Sequence, residues 1–119
     1  MGQPVVRIQI LAKGPDQAAR FYHSVFGWKV DENNALGYRS LDTGSERGIN
    51  AGIWPSPPDG HSFVQLYIEV EDVGASVDQA VGMGGRQIIA PLKLPDGDEM
   101  AVIADPEGIP VGLFKPRSQ

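Results

Sequence analysis

The chain carries the same order of predicted elements twice, and this repetition constrains its fold more than any other feature of the sequence. Val5–Leu11 alternates apolar and polar residues, which predicts a strand, and Phe63–Val70 opens the second half in the same way. Gly27 and Gly85, each expected to end a helix, are 58 residues apart. The closing strands of the two halves are offset by 60 residues. Identity between the halves is low, so ordinary α+β alternation is the other interpretation, but the near-constant register favours duplication.

Each half is predicted to contain a strand, a helix and three further strands. Apolar residues at helical spacing form the stripes Ala18, Phe21, Tyr22, Val25, Phe26 and Val73, Val77, Ala80, Val81. The other strands are expected at 28–30, 38–43, 49–54, 86–90, 100–104 and 110–114, with a turn at Asn33-Asn34. These elements predict an α+β fold of two βαβββ modules in a single domain, 1–119. Module one covers about 5–54, a Pro- and Gly-rich linker 55–62, and module two about 63–116.

Composition and charge narrow the class of partner. The 119 residues suit one domain, and the net charge is -5 with Lys and Arg scattered singly. Neither nucleic acid nor an anionic membrane is therefore expected to bind. The absence of cysteine excludes disulfides and thiolate metal sites and fits a reducing compartment. The first residues do not read as a signal peptide, so a cytoplasmic location is predicted, and the sequence contains no glycine-rich phosphate-binding loop.

Three short motifs occur in order along the chain. Phe21-Tyr22 precedes Val25-Phe26-Gly27-Trp28-Lys29-Val30, Val70-Glu71-Asp72-Val73 opens the second half, and Asp105-Pro106-Glu107-Gly108 precedes the last strand. Together they resemble the vicinal-oxygen-chelate superfamily of glyoxalases, bleomycin resistance proteins and dioxygenases. The resemblance implies an open half-barrel cup, and in many members a homodimer. It also implies one divalent metal ion, held from the first and last strand of each module by His, Gln or Glu.

Mapped onto this chain, the four metal-ligand positions of that superfamily fall on Arg7, Gly52, Gln65 and Gly112. Arginine offers only N–H donors and stays protonated, and glycine supplies no side chain. One neutral amide beside a fixed positive charge cannot hold a divalent ion. We therefore expect no catalytic metal and no cofactor. A displaced site using Glu69, Asp42 or His61 is conceivable, but no spacing supports it.

A ligand is expected to take the place of the metal. The predicted ligand-binding residues are Arg7, Gln9, Gly52, Gln65, Tyr67, Glu69 and Gly112. Arg7 would hold a carboxylate or phosphate by two parallel hydrogen bonds, and the glycines would let a ligand approach the backbone. Aromatic walls would come from Trp28, Tyr38 and Trp54.

Each of these assignments has a structural alternative. Arg7 would instead pair with Glu69, Trp28 would belong to the core, and Gln65 would be a hydrogen-bonding filler. Glu69 would act as a general base only if loss of solvent raised its pKa. Both histidines are expected to be ordinary, with His23 facing solvent on its helix and His61 on a loop.

Three functions follow from these residues. The first is a metal-independent small-molecule-binding protein. The second is a lyase, isomerase or dioxygenase with an atypical or displaced metal site. The third is an interaction module whose cup serves mainly as a dimer surface. The expected partners are a small molecule, carboxylate- or phosphate-bearing, and a second copy of the chain.

Overall fold

The computed structural model describes residues 2–32 and 38–117, so the turn expected at Asn33-Asn34 lies outside the described residues. By its internal contacts the chain divides into two compact units. One unit is formed by 7–65, and the other by the residues before and after that range.

The first module contains four strands and one helix. Its elements are β1 (Val5–Ala12), α1 (Pro15–Phe26), β2 (Lys29–Asp31), β3 (Arg39–Asp42) and β4 (Ala51–Pro55). The strands lie in the order β2-β3-β4-β1, with β1 and β4 parallel and the other two pairs antiparallel. This is the predicted β-α-β-β-β order, with strand boundaries shifted by at most two residues.

Helix α1 begins and ends where local chemistry places its ends. Pro15 stands at the start, where its missing N–H costs no helical hydrogen bond, and Asp16 lies in the first turn. Gly27 ends the helix in the left-handed region, with φ of 74°, and its N–H donates to the His23 carbonyl at 2.9 Å. The next residue is therefore free to enter β2.

The core of the first module is built on the helix-facing side of its sheet. Buried there are Ala12, Ala19, Leu41, Ala51 and Ile53, with Ile8, Ile10, Ala18, Tyr22, Trp28 and Val30 packed against them. Trp28 stacks on Tyr22 with ring centroids 5.4 Å apart. Trp28 therefore belongs to the core, as its structural alternative predicted, and does not form a ligand wall.

The predicted apolar stripe of α1 is only partly buried. Phe21, Val25 and Phe26 are 55%, 56% and 56% exposed in the chain. The helix contacts the core of the sheet through Ala18, Ala19 and Tyr22. The stripe is wider than the surface the sheet offers, so its outer flank is left uncovered.

The second module repeats the order of the first. Its elements are β5 (Phe63–Glu69), α2 (Val73–Gly82), β6 (Arg86–Lys93), β7 (Glu99–Ala104) and β8 (Pro110–Lys115). The strands lie in the order β5-β8-β7-β6, with β5 and β8 parallel. Its core consists of Val70, Val73, Val77, Ala101 and Leu113, so of the predicted α2 stripe Val73 and Val77 are buried while Val81 is half exposed.

Two local devices shape this module. The Asp105 carboxylate accepts hydrogen bonds from the N–H groups of Glu107 and Ile109, which closes the turn before β8. Strand β6 runs on to Lys93, beyond its predicted end, because its register shifts between Ile89 and Leu92, around Pro91. The predicted α+β class with two βαβββ modules is confirmed.

Candidate functional site

The first module presents a polar face on the side of its sheet opposite α1. Because side chains alternate along a strand, Ile8 and Ile10 point to the helix, whereas Arg7 and Gln9 lie on the other face. The strand register places Gln9 beside Gly52. Strand β1, which bears Gln9, therefore meets strand β4, which bears Gly52, on this face.

Tyr38 lies directly over Gly52. A Cβ atom added at position 52 would coincide with the phenol hydroxyl and the ring carbon that bears it. Glycine is therefore the one residue that leaves room for this tyrosine. The predicted close approach at Gly52 is made by a side chain of the same module.

The Tyr38 hydroxyl joins two of the predicted ligand-binding residues. It accepts a hydrogen bond from Nη1 of Arg7 at 2.9 Å and donates one to Oε1 of Gln9 at 3.2 Å. We call Arg7, Tyr38 and Gln9 the Tyr38 network. The guanidinium of Arg7 is thus bound by a neutral hydroxyl of its own module.

Aromatic contacts extend the network. The guanidinium carbon of Arg7 lies 5.7 Å from the centroid of the Tyr38 ring, within the range of a cation–π interaction. The Tyr38 ring lies 4.8 Å from that of Trp54, tilted by 38°. Two of the three predicted aromatic walls, Tyr38 and Trp54, are thus next to the polar residues, and Trp28 is not.

Two glutamine amides are buried yet retain bonding capacity. Gln9 is 2% exposed and Gln65 is 8% exposed. Among the described residues, the Gln9 amide bonds only Tyr38, and the Gln65 side chain has no hydrogen-bond partner. In that part of the chain, every side-chain nitrogen or oxygen that is fully buried has a hydrogen-bond partner. The amide atoms of Gln9 and Gln65 that have no partner must therefore keep some contact with solvent.

Arg7 and Arg39 differ in their partners. Arg39 donates from Nε to Asp16 Oδ1 at 2.9 Å and lies 3.3 Å from Glu32 Oε1. Arg7 is also partly buried, but no described carboxylate of the unit formed by 7–65 pairs with it. The charge of Arg7 is thus left uncompensated within its own unit. Whether Arg7 pairs with Glu69 stays a prediction.

The second module also places an aromatic residue beside a glycine, although on a different strand from the first. Tyr67 lies opposite Gly112 in the pairing of β5 with β8, and its ring stacks on Phe114 with centroids 5.3 Å apart. Glu69 is two residues further along β5, and its backbone N–H donates to the Pro4 carbonyl at 3.0 Å. Glu69 also lines a cavity of about 570 Å³ with Lys115.

The two histidines occupy the places expected of them. His23 is exposed on α1, and its Nδ1–H donates to the Trp28 carbonyl at 2.7 Å. His61 is exposed on the linker. Within 2–32 and 38–117, no group of three or more His, Asp or Glu side chains is placed to hold a metal ion. Neither helix has the length and apolar character needed to cross a membrane in the described ranges.

Sequence reasoning missed the place of Tyr38 within this site. It identified Arg7, Gln9 and Gly52 on one face but treated the tyrosine only as a wall. The signal lies in the strand register, in which Ser40 pairs with Gly52, because Tyr38 is two residues away and shares the face of Ser40.

Comparison with known proteins decides the family. The family model of the Glyoxalase/Bleomycin resistance protein/Dioxygenase superfamily matches residues 5–113. The chain belongs to this superfamily. A protein of Mycobacterium tuberculosis that carries the name glyoxylase, CFP32, is 36% identical over 109 residues, which cover 84% of this chain and 41% of that protein. The chain thus spans about two fifths of the length of this superfamily relative.

Solved structures of low sequence identity share the superfamily fold. A hypothetical protein of Bacillus halodurans, BH1468, has a TM-score of 0.73 at 12% identity and covers 100% of this chain and 98% of its own. A methylmalonyl-CoA epimerase of Streptomyces coelicolor in complex with 2-nitronate-propionyl-CoA has a TM-score of 0.62 at 17% identity, with coverage of 96% and 97%. At these identities the likeness concerns the fold alone.

The residues of this superfamily member do not fit the metal that the family implies. Arg7 brings a positive charge and donors only, and it donates a hydrogen bond to the Tyr38 hydroxyl. At Gly52 the space that a ligand side chain would need is filled by Tyr38. Gly112 has no side chain, which leaves Gln65 as the one position with a lone pair to offer.

Proposed function

We propose that this chain is a metal-independent small-molecule-binding protein of its superfamily, which holds an organic anion at Arg7. One observation carries this proposal: the guanidinium is fixed by the Tyr38 hydroxyl, yet within its unit no described carboxylate pairs with it. A partly buried cation without a counter-ion favours an external anion, because burial strengthens its interaction with one.

The geometry of a guanidinium defines the group that would bind. Arginine has five N–H donors, and one of them goes to Tyr38. The remaining donors suit a carboxylate or phosphate, which accepts two parallel hydrogen bonds in one plane. A hydrogen bond to a charged group contributes about 1.5–3 kcal/mol.

Some of the other predicted residues lie in the same unit as Arg7. Gln9 and Gln65 keep amide groups with unused bonding capacity. We propose that they line the ligand together with Gly52, and a ligand-binding role of Tyr67, Glu69 and Gly112 stays a prediction. Their roles are secondary to that of Arg7, because none of them carries a positive charge.

The binding of simple anions tests the proposal. The protein is treated with a chelator and titrated with acetate, malonate, benzoate and phosphate while ¹H–¹⁵N spectra are recorded. We expect saturable shifts around Arg7 that Arg7→Gln reduces at least tenfold in affinity. Arg7→Lys should recover only part of the affinity, since a lysine lacks the planar pair of donors.

Arg20→Gln is the matched control, because Arg20 is an exposed arginine on α1 with no partner among the described residues. Affinity should be unchanged in this variant. If Arg7→Gln and Arg20→Gln bind every anion as the unchanged protein does, the proposed role of Arg7 is wrong.

A second candidate is an enzyme, namely a lyase, isomerase or dioxygenase with an atypical or displaced metal site. The observation that favours it is the 36% identity to a protein that carries the name glyoxylase. Turnover of a thiol adduct of an α-oxoaldehyde, with and without added Zn²⁺ or Ni²⁺, separates the two. Metal-dependent turnover would support the enzyme and contradict the binding protein.

We also propose that the chain forms a homodimer through the outer flank of α1. Phe21, Val25 and Phe26 leave more than half of each side chain exposed. The relative CFP32 is more than twice as long as the segment that this chain matches. In a longer protein, additional polypeptide would cover the apolar flank of α1. In this chain, a second copy would cover it. A cytoplasmic location stays a prediction.

A further inference from the structure

We infer that a groove on one side of α1 receives the exposed flank of α1 from a second copy of the chain. The inference rests on the homodimer proposed above and names the surface on which the flank packs. It does not depend on the anion proposed at Arg7, because Arg7 lies on the face of the sheet opposite α1.

The groove lies between α1 and the strands beside it, and its volume is about 530 Å³. We call it the α1 groove, and its apolar walls include Ile10, Ala18, Phe21, Tyr22, Phe63 and Val64. All of its lining residues fall within 7–65, so the groove belongs to one compact unit. Polar residues gather at one edge, where the Lys13 backbone N–H donates to the Ser62 hydroxyl at 3.4 Å. An apolar centre with a polar edge is typical of a protein interface.

The α1 groove is continuous with the exposed flank of α1. Phe21 belongs to both, since it lines the groove and is 55% exposed. Its ring lies 5.3 Å from that of Tyr22 in the groove and 6.5 Å from that of Phe26 on the flank. An apolar ridge thus stands directly beside an apolar hollow.

An interface between two identical copies uses such a pair of shapes. With a two-fold axis each copy presents the same patch, so a projecting part of one copy needs a hollow on the other. The flank supplies the projection through Val25 and Phe26, and the α1 groove supplies the hollow.

The area of the flank points to the same conclusion. A stable interface buries about 800 Å² on each partner. Phe21, Val25 and Phe26 are 55–56% exposed, and side chains of this size then offer roughly 300 Å² in total. The flank alone is therefore less than half of the surface that a stable dimer needs. The groove adds Val64, which is 57% exposed, and its partly buried walls.

The opposite side of α1 is not suited to this role. A cavity of about 630 Å³ borders it, and its lining includes the ionisable side chains Asp16, Arg20, His23, Lys29 and Glu32. An apolar flank packed there would take these charges out of water without giving them partners. Of the two cavities that border α1 in the described ranges, the apolar one therefore fits the flank.

Cross-linking between single cysteines tests where the flank packs. The chain has no cysteine, so each introduced thiol is unique. Copies with Val25→Cys or Phe26→Cys are mixed with copies carrying Val64→Cys, allowed to exchange, and treated with a short bismaleimide. The control replaces Val64→Cys by Met83→Cys, because Met83 is 75% exposed outside 7–65. We expect mixed product at least about tenfold faster than in the control, since thiols held in one complex react at a high effective concentration.

A charge placed in the α1 groove tests its contribution to affinity. Val64→Lys should raise the Kd of the dimer at least about tenfold, because the ammonium group would be buried against an apolar flank. Ile109→Lys is the matched control, since Ile109 is 56% exposed and lies outside 7–65. Its Kd should be unchanged. Sedimentation velocity over a range of concentrations measures both values.

The outcomes separate this inference from the proposed homodimer. If the unchanged chain is monomeric, the homodimer itself fails. If Phe21→Ser with Val25→Ser disrupts a dimer, yet Val64→Cys gives no more mixed product than Met83→Cys, the inference is wrong and the flank interface stands. Equal Kd values for Val64→Lys and Ile109→Lys would also overturn it. So would saturable binding of 8-anilinonaphthalene-1-sulfonate to the dimer that Val64→Lys abolishes, because the groove would then be open to a small ligand.

Discussion

The hydroxyl of Tyr38 occupies the space that a side chain at Gly52 would need. Gly52 is one of the positions that the resemblance to the superfamily predicts for a metal ligand, and here the tyrosine leaves no room for a side chain at that position. That hydroxyl then binds Arg7 and Gln9 at 2.9 Å and 3.2 Å. The tyrosine that requires a glycine at position 52 is thus the same residue that binds Arg7.

Gly52→Ala should destabilise the protein by about 1–3 kcal/mol, because the added methyl group displaces the Tyr38 ring. The free energy of unfolding, measured with denaturant, checks this. Combining Gly52→Ala with Tyr38→Ala should cost less than the sum of the two single changes. Gly82→Ala is the control, since a Cβ there meets nothing within 4 Å, and it should be neutral or stabilising. If the two losses of unfolding free energy simply add, the methyl group at position 52 and the Tyr38 ring do not compete for the same space.

Tyr38→Phe removes the hydroxyl but keeps the ring. We expect a loss of about 1–3 kcal/mol in the free energy of unfolding, because the buried Gln9 oxygen loses its donor. Tyr22→Phe is the matched control, since the Tyr22 hydroxyl has no hydrogen bond among the described residues. Equal effects of the two changes would contradict the role given to the Tyr38 network.

Asp16→Asn should cost up to about 1 kcal/mol at low salt and less at high salt. Asp16 binds Arg39 and also lies in the first turn of α1, so its charge favours both the ion pair and the helix. Thermal unfolding at two salt concentrations measures the difference. Asp78→Asn, on the exposed side of α2, should change neither value. A salt-independent loss would argue against the ion pair.

Phe21→Ser with Val25→Ser should convert a dimer into a monomer, because both side chains lie on the exposed flank of α1. Light scattering coupled to size exclusion measures the mass of each form. Met83→Ser removes a side chain that is 75% exposed elsewhere on the chain, and it should leave the dimer intact. A dimer that survives the double change, or an unchanged protein that is monomeric, would contradict this interface.

The parts of the fold that depend on residues close together in the sequence could be predicted. Gly27 ends α1 because a left-handed residue needs no distant partner, and Asp105 closes its turn through bonds to residues two and four positions later. Arg7 and Gln9 could also be placed on one face, because the alternation of side chains along a strand depends only on their positions in the sequence.

The parts that depend on strand register could not be predicted. Tyr38 reaches Gly52 only because Ser40 pairs with Gly52, and a sequence does not state that pairing. The exposure of Phe21 and Val25 depends on how much of α1 the sheet covers. The spacing of apolar residues shows which side chains share a stripe on α1. It does not show how wide a surface the sheet offers to that stripe.

Metal binding tests the central claim most directly. The chelator-treated protein is titrated by calorimetry with Zn²⁺, Ni²⁺ and Mn²⁺, and its metal content is measured after dialysis. Arg7, Gly52, Gln65 and Gly112 offer one neutral ligand beside a fixed charge, so we expect no stoichiometric uptake of any of the three ions. One ion retained per chain, with spectral shifts at Tyr38 and Gln65, would contradict the account.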